Sequence, residues 1–431
     1  MRMTRLVFCG AAALVLLGPG RALPLHGQSG QTPAPSSQSS QLTFKTTTAL
    51  VEVDVVIHDG KNRFVPGLTA DDLLLYEDGK PQKIQQFYIV THDPYSAVSA
   101  APIDGAQAED RAHRVFVLMF DESSLANDSM MRVKKGAEQF IREQIGPGDV
   151  GGVFVNGAMY KGRLTTDRIE LAAGVRSVRP AFDNRQGLLA PFREWPKIPG
   201  EIDAVRIEAG GREVVDMLGD AACREDPFLC NQEGGIQQVE NVIQRKARLY
   251  VRQARVLTAQ TMQNLRYVAA GLSRIPGRKT VVLMTEGFFV EESRDLLQTV
   301  AAQAARGGTA IYTIDGRGNS NNPSPNVDVL SASLSRSTGF DTGEDGPMIL
   351  TMGTGGFMVH NIDDISRAFG LIARDTSTYY VLGYAPENSV MDGKYRKIDV
   401  KSRVGGLDVR ARKGYMAVAL PPLEQFRSGG K

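Results

Sequence analysis

Residues 114–128 read RVFVLMFDESSLAND. From Val115 to Phe120 the run is apolar at every position. A strand with one wet face would alternate, so this one is covered on both sides, as in a parallel sheet with helices above and below. The run ends abruptly in Asp121, Glu122, Ser123 and Ser124. In an open α/β sheet the carboxyl ends of the strands are where ligands bind, so these residues are the first candidates for a site.

Working outward, the same alternation of buried runs with helical stretches recurs. A helical segment is predicted from about Ser129 to Ile145, followed by the short strand candidates DVGGVFVNG (149–157) and AMYKGRL (158–164). KTVVLMT (279–285) and TAIYTID (309–315) are further buried runs, separated by a helical stretch from Glu292 to Arg306. The expected fold class is α/β: a Rossmann-like, doubly wound sheet over residues 113–375. Between Asp183 and Gly277 the pattern changes. Val242, Leu249 and Val256 recur at sevens and Leu265, Val268 and Leu272 continue a face, which predicts one long amphipathic helix in a helical insertion over about 183–277.

Both flanks of this domain read as β-structure. Val51, Val53, Val55 and Ile57 keep the two-residue period of a half-buried strand. Asp78-Gly79 is predicted as a tight hairpin turn, because both residues tolerate positive φ. An N-terminal β module is expected over residues 44–95, with order beginning near Phe44. Residues 376–420 return to strands in TYYVLGYAP, YRKIDVKS and LDVRARKGYM. The economical architecture joins the two flanks into one β-sandwich, with the α/β domain inserted between them. Arg410, Arg412 and Lys413 are read as the wet face of a strand.

Arg2 and Arg5 precede an apolar run from Leu6 to Leu17 and then Gly18-Pro19-Gly20. A charged start, a short hydrophobic stretch and a helix-breaking exit predict a secretory signal peptide over residues 1–27. Cys9 lies inside that run and is not read as a lipid anchor. A Ser-, Gln- and Pro-rich tether over 28–43 follows. The expectation is an exported protein, periplasmic, cell-surface or secreted, with no integral membrane span once the signal is removed. In that compartment Cys223 and Cys230, in a loop-like CREDPFLC, are expected to form a disulfide. The balance of 50 basic against 48 acidic residues excludes a field strong enough to make nucleic acid the main partner.

At the sheet edge, Asp121, Ser123 and Ser124 offer hard oxygens suited to Mg²⁺ or Ca²⁺. The fourth buried run ends in Thr285 and Glu286 and the fifth in Asp315. Three acidic loops at one edge would make an electronegative pocket that favours a cation. The chain resembles, in VEVDVVIHDG (51–60), GLTADDLLLYEDGKPQKI (67–84), LSRIPGRKTVVLMTEGF (272–288), AIYTIDGRG (310–318) and the long stretch from Tyr379 to Tyr415, a von Willebrand factor A-related family abundant in Acidobacteria. The resemblance covers nearly everything from residue 45 to 418 and implies a von Willebrand A fold, whose first strand ends in D-x-S-x-S and whose fourth often ends in T-D-G. Asp121, Ser123 and Glu286 are the metal-ligand candidates it implies. Leu125 stands in place of the second serine, Glu286 in place of the usual aspartate, and the expected threonine has only loose counterparts in Thr165 and Thr166. These departures favour a relic site without a cofactor, in which Asp121 bonds to neighbouring backbone amides.

No catalytic constellation is recognisable. His26, His58, His92, His113 and His360 are scattered, and no H-E-x-x-H pair, G-x-S-x-G elbow or Walker loop is present. The sequence therefore predicts a non-enzymatic protein-binding or adhesion module that uses the carboxyl-end face of the α/β domain, with an extracellular or envelope protein as partner. The alternative is a metal-free structural subunit of an envelope assembly, and the third is a cryptic secreted hydrolase.

Overall fold

The computed structural model describes residues 50–92, 113–181, 187, 190–288, 294–318 and 345–418. The expected signal peptide, the tether and the start of order at Phe44 lie outside these residues. Among the described residues no helix is long and apolar enough to cross a membrane.

Four N-terminal strands open the described chain: β1 (Val51–His58), β2 (Leu73–Glu77), β3 (Lys80–Gln82) and β4 (Gln86–Thr91). Asp78 and Gly79 turn β2 into β3 with φ of 49° and 80°. Four strands from the far end of the chain complete them: β11 (Thr378–Tyr384), β12 (Tyr395–Ser402), β13 (Asp408–Ala411) and β14 (Gly414–Met416). They form two antiparallel four-stranded sheets, ordered β13-β1-β11-β4 and β14-β12-β2-β3. Val53, Val55, Leu75, Leu382, Tyr384 and Ile398 lie in the single apolar core these sheets share.

Between these flanks stand β5 (Val115–Phe120), β6 (Val150–Val155), β7 (Ala158–Met159), β8 (Lys279–Thr285), β9 (Thr309–Asp315) and β10 (Met358–Val359). They make one sheet in the order β10-β9-β8-β5-β6-β7, parallel throughout except for the β6–β7 hairpin. Counted within the sheet this is the Rossmann-type order 3-2-1-4-5-6. The winding reverses between β5 and β8, and that switch point opens a crevice at their carboxyl ends. One face is covered by α1 (Asn127–Glu143), α2 (Arg168–Ser177) and, further along, the helix Ile365–Ser377. A mixed α/β domain with a parallel sheet and helices on both faces follows.

The insertion between β7 and β8 holds α3 (Glu201–Glu208), α4 (Arg212–Glu225), a short α5 (Pro227–Cys230) and the 38-residue α6 (Gly235–Leu272). Helix α6 belongs to two cores. Val239, Ile243, Tyr250 and Val251 pack with the insertion helices, whereas Met262, Leu265, Val268 and Leu272 pack on the parallel sheet. The remaining helices are α7 (Arg294–Arg306), α8 (Asp345–Thr354) and α9 (Ile365–Ser377). Helices α7 and α8 lie with the second half of α6 on the other face of the sheet.

Two expectations need correction here. The heptad stripe does not face the core: Leu249 and Val256 are 48% and 67% exposed. The buried set steps by three and four, the true period of a straight helix, and the sevens drift off that face. The stretch around the cysteines is not a loop either. Asp226 caps α5, accepting from the Phe228 amide at 3.2 Å, and Pro227 starts its first turn.

Cys223 and Cys230 are disulfide-bonded, with Cα atoms 5.6 Å apart. Closing so short a loop restricts the unfolded chain by about 2.5 kcal/mol. Cys223→Ser with Cys230→Ser is therefore expected to lower unfolding stability by about that amount. Urea denaturation followed by the Trp195 fluorescence, which reports on this insertion, is the measurement. An unchanged midpoint would show that the bridge constrains nothing.

Candidate functional site

Strands β5 and β8 are parallel neighbours, so their ends lie side by side. The Asp121 amide donates to the Met284 carbonyl at 2.9 Å, and the Gly316 amide to the Thr285 carbonyl at 2.9 Å, extending the ladder past the strands. Asp121 is 4% exposed, and its carboxylate is held by hydroxyls rather than backbone amides. Oδ1 accepts from Ser123 Oγ at 2.6 Å and from Thr261 Oγ1 at 2.9 Å; Oδ2 accepts from Thr285 Oγ1 at 2.9 Å. Ser124 Oγ stands 3.0 Å from Thr285 Oγ1 and accepts the Glu286 amide at 3.3 Å. Each bond to the charged oxygen is stronger than a neutral one. The cluster is a closed hydroxyl cage around one carboxylate.

Thr261 is the residue that sequence reasoning missed. It lies in α6, 140 positions from Asp121, on the helix's buried face. The signal available was a polar pair, Thr258 and Thr261, in the second half of the helix, where the buried stripe is otherwise apolar. Thr165, by contrast, is bridged by backbone to Gly151 near the start of β6, at the amino end of the sheet. Thr166 is exposed beside it. Neither belongs to the site.

Glu286 is at the same edge but does not bond to Asp121. Its Oε1 accepts the Ala126 amide at 3.0 Å, at the N-terminus of α1, where the helix dipole favours negative charge. Its Oε2 is enclosed with no hydrogen-bond partner among the described groups. The Gly287 that follows has φ 97°, which lets the chain turn away. Burial pushes the Glu286 carboxyl above its ordinary range, against the opposing pull of Ser129 and the Ala126 amide. An acid whose folded pKa is raised binds more protons folded than unfolded, so it costs stability as pH rises above the ordinary carboxylate value. Glu286→Gln is therefore expected to stabilise the protein at neutral pH, by an amount that vanishes in acid. Urea midpoints of both proteins across pH test this, and a difference independent of pH contradicts it.

Asp315 is neutralised internally. Arg317 Nη2 and Nε reach its oxygens at 2.6 Å and 2.9 Å. The three acidic loops thus do not form an uncompensated negative pocket: one acid is caged, one is pushed toward protonation and one is paired. Leu125 is wholly buried in the apolar cluster beneath, where Gly316 leaves room for it. It faces the core and not the cage.

Donor chemistry decides how far a cation fits. Ser123 Oγ, Thr261 Oγ1 and Asp121 Oδ1 are 2.6–3.3 Å from one another. Adjacent oxygens around Mg²⁺, bound at about 2.0–2.1 Å, stand about 2.9 Å apart. The spacing fits. The charge is thin, because Asp121 is the cage's only carboxylate, and among the described residues no group of three or more His, Cys, Asp or Glu is placed to hold a metal.

No family model matches the chain. No curated protein matches it. Among solved structures it is similar to a conserved hypothetical protein, BatB, from Bacteroides thetaiotaomicron, at 15% identity and a TM-score of 0.29, over 62% of this chain and 97% of that one. A similarity of that size carries no argument about function.

Proposed function

We propose that the chain is an exported, non-enzymatic binding module whose von Willebrand A-like domain holds a protein partner on its carboxyl-end face. The observation that carries this reading is the hydroxyl cage of Asp121 at the switch point between β5 and β8. Its side chains are fixed by neighbouring elements, so the face meets a partner already ordered. A divalent cation held there by Asp121, Ser123 and Thr261 would add positive charge for a partner's carboxylate. The fold membership proposed rests on the five sequence stretches together with the Rossmann-type strand order.

The two ends of α1 provide the test. Asp128 is exposed in its first turn, at the proposed face, and Glu143 is exposed at the far end, about 22 Å away along the axis. A photo-crosslinker at each position, in cells that export the protein, reads which end meets a partner. Crosslinks concentrated at Asp128, and reduced by Asp121→Ala, are expected. Equal yields from both ends overturn the reading.

A structural subunit of an envelope assembly is the second reading. The single carboxylate in the cage and the burial of Leu125 favour it, since an assembly part needs no cation. One crosslinked species in fixed stoichiometry supports assembly; several species supports capture.

A further inference from the structure

We infer that the chain has a second binding site, a cleft between the β-sandwich and the open edge of the parallel sheet, which takes a small organic anion with an apolar body. The cleft encloses about 970 Å³ and is walled by the turn after β1, by the β10 strand, by the end of α9 and by β13. That volume suits a ligand of drug-like size, and clefts between packed modules are where such ligands bind.

Charge selects the sign. Lys61, Arg63, Arg374 and Arg410 line the cleft against Asp375 and Asp408. Asp375 is already committed: it accepts from Arg410 and from Tyr312 Oη at 2.6 Å, and Arg278 stands 3.8 Å away. Its one negative charge therefore faces two guanidinium groups, Arg278 and Arg410. Arg63, also exposed, is paired with Asp59 at 2.7 Å. Among the described residues no carboxylate pairs with Lys61 or Arg374, both exposed at the rim. The cleft keeps an excess of positive charge above an ion-paired floor, and low-dielectric walls concentrate that field.

Its walls also choose the body of the ligand. Phe357 lies under the Arg410 guanidinium at 4.8 Å, and Phe64 and Leu371 stand partly exposed nearby. Flat apolar surface beside a guanidinium suits an aryl or branched alkyl group that carries a carboxylate or phosphate. This site is separate from the Asp121 cage. It draws on the edge strand β10 and the sandwich, whereas the cage lies between β5 and β8.

Calorimetry on the full chain with phenyl phosphate, phenylacetate and benzyl alcohol tests the inference. Saturable binding of at least one of the two anions is expected, with no binding of the neutral alcohol. The pair identifies whether phosphate or carboxylate is preferred. Lys61→Glu with Arg374→Glu is expected to weaken anion binding by about tenfold or more. Arg252→Glu with Arg266→Glu, which makes the same charge change on the exposed face of α6, should leave it unchanged. Equal binding of the alcohol, no saturable heat with either anion, or equal losses in both variants overturns the site.

Discussion

Asp375→Ala is expected to lower unfolding stability by about 3–5 kcal/mol. Asp375 is 3% exposed and holds a buried polar cluster where the sandwich meets the α/β domain. Arg410 donates to Oδ1, while Tyr312 Oη reaches Oδ2 at 2.6 Å and itself accepts from Arg278 Nη2 at 2.7 Å. Arg278 lies over the Tyr379 ring at 5.0 Å. Burial pushes the Tyr312 hydroxyl up, so it stays a neutral donor. Removing the carboxylate takes the paired charge from the half-buried Arg410 head and leaves Arg278 to the neighbouring Asp54, which is why the cost exceeds that of a lost hydrogen bond. Asp375→Asn retains acceptor geometry and loses only charge, so it should cost less. Urea unfolding of the three proteins is the measurement. A loss for Asp375→Ala within about 1 kcal/mol of zero, the scale of an exposed ion pair, would show that the cluster is solvated.

The second large effect is at the cage. Asp121→Ala deletes the acceptor of three hydroxyls, each bond to a charged oxygen contributing about 1.5–3 kcal/mol. The hydroxyls partly re-pair: Thr261 Oγ1 can return to the Leu257 carbonyl at 3.3 Å, and Ser124 already meets Thr285. A net loss of about 2–4 kcal/mol is expected. Asp121→Asn keeps one acceptor oxygen and should cost about half as much. Thr261→Val isolates the contribution of α6 and should fall between Asn and wild type. Melting temperatures with and without Mg²⁺ or Ca²⁺ separate cage from cation site: a cation-induced rise in the wild type that is absent in Asp121→Ala identifies a cation site. A Thr261→Val loss equal to that of Asp121→Ala would mean that the helix contact, and not the cage, is what matters.

Much of the fold was legible because its signals are local. Val115 to Phe120 and Lys279 to Thr285 announce doubly covered strands by the absence of alternation, and strand ends follow from where polarity resumes. The candidate site was half legible for the same reason: Asp121, Ser123 and Thr285 are adjacent to those runs. Thr261 was not, because a hydroxyl inside a helix looks the same whether it bonds its own preceding turn or a carboxylate 140 residues away. Arg410 and Arg412 were misread as a wet face. Period two shows which residues share a side, but not whether another domain covers that side. Arg412 reaches the Ala305 and Glu52 carbonyls, and Arg410 reaches Asp375, so these cations are seam contacts. Basic residues that bury their stems while their heads meet carbonyls carry no sequence mark that distinguishes them from solvated ones.

The interleaving of the outer sheets bears on how the molecule assembles. Within its sheet β1 lies between β11 and β13, so Val51 pairs with Tyr384 and Val55 with Ala411. Like a clasp, the first described strand waits for strands near the other end of the sequence. While the ribosome is still making the middle of the chain, the valines of β1 have no edge to join, and such exposed segments are prone to self-association. Fastening the clasp requires a contact across more than 300 residues, a topology that folds slowly. Loss of β13 would then strip β1 of one of its two partners and leave its valines an open edge.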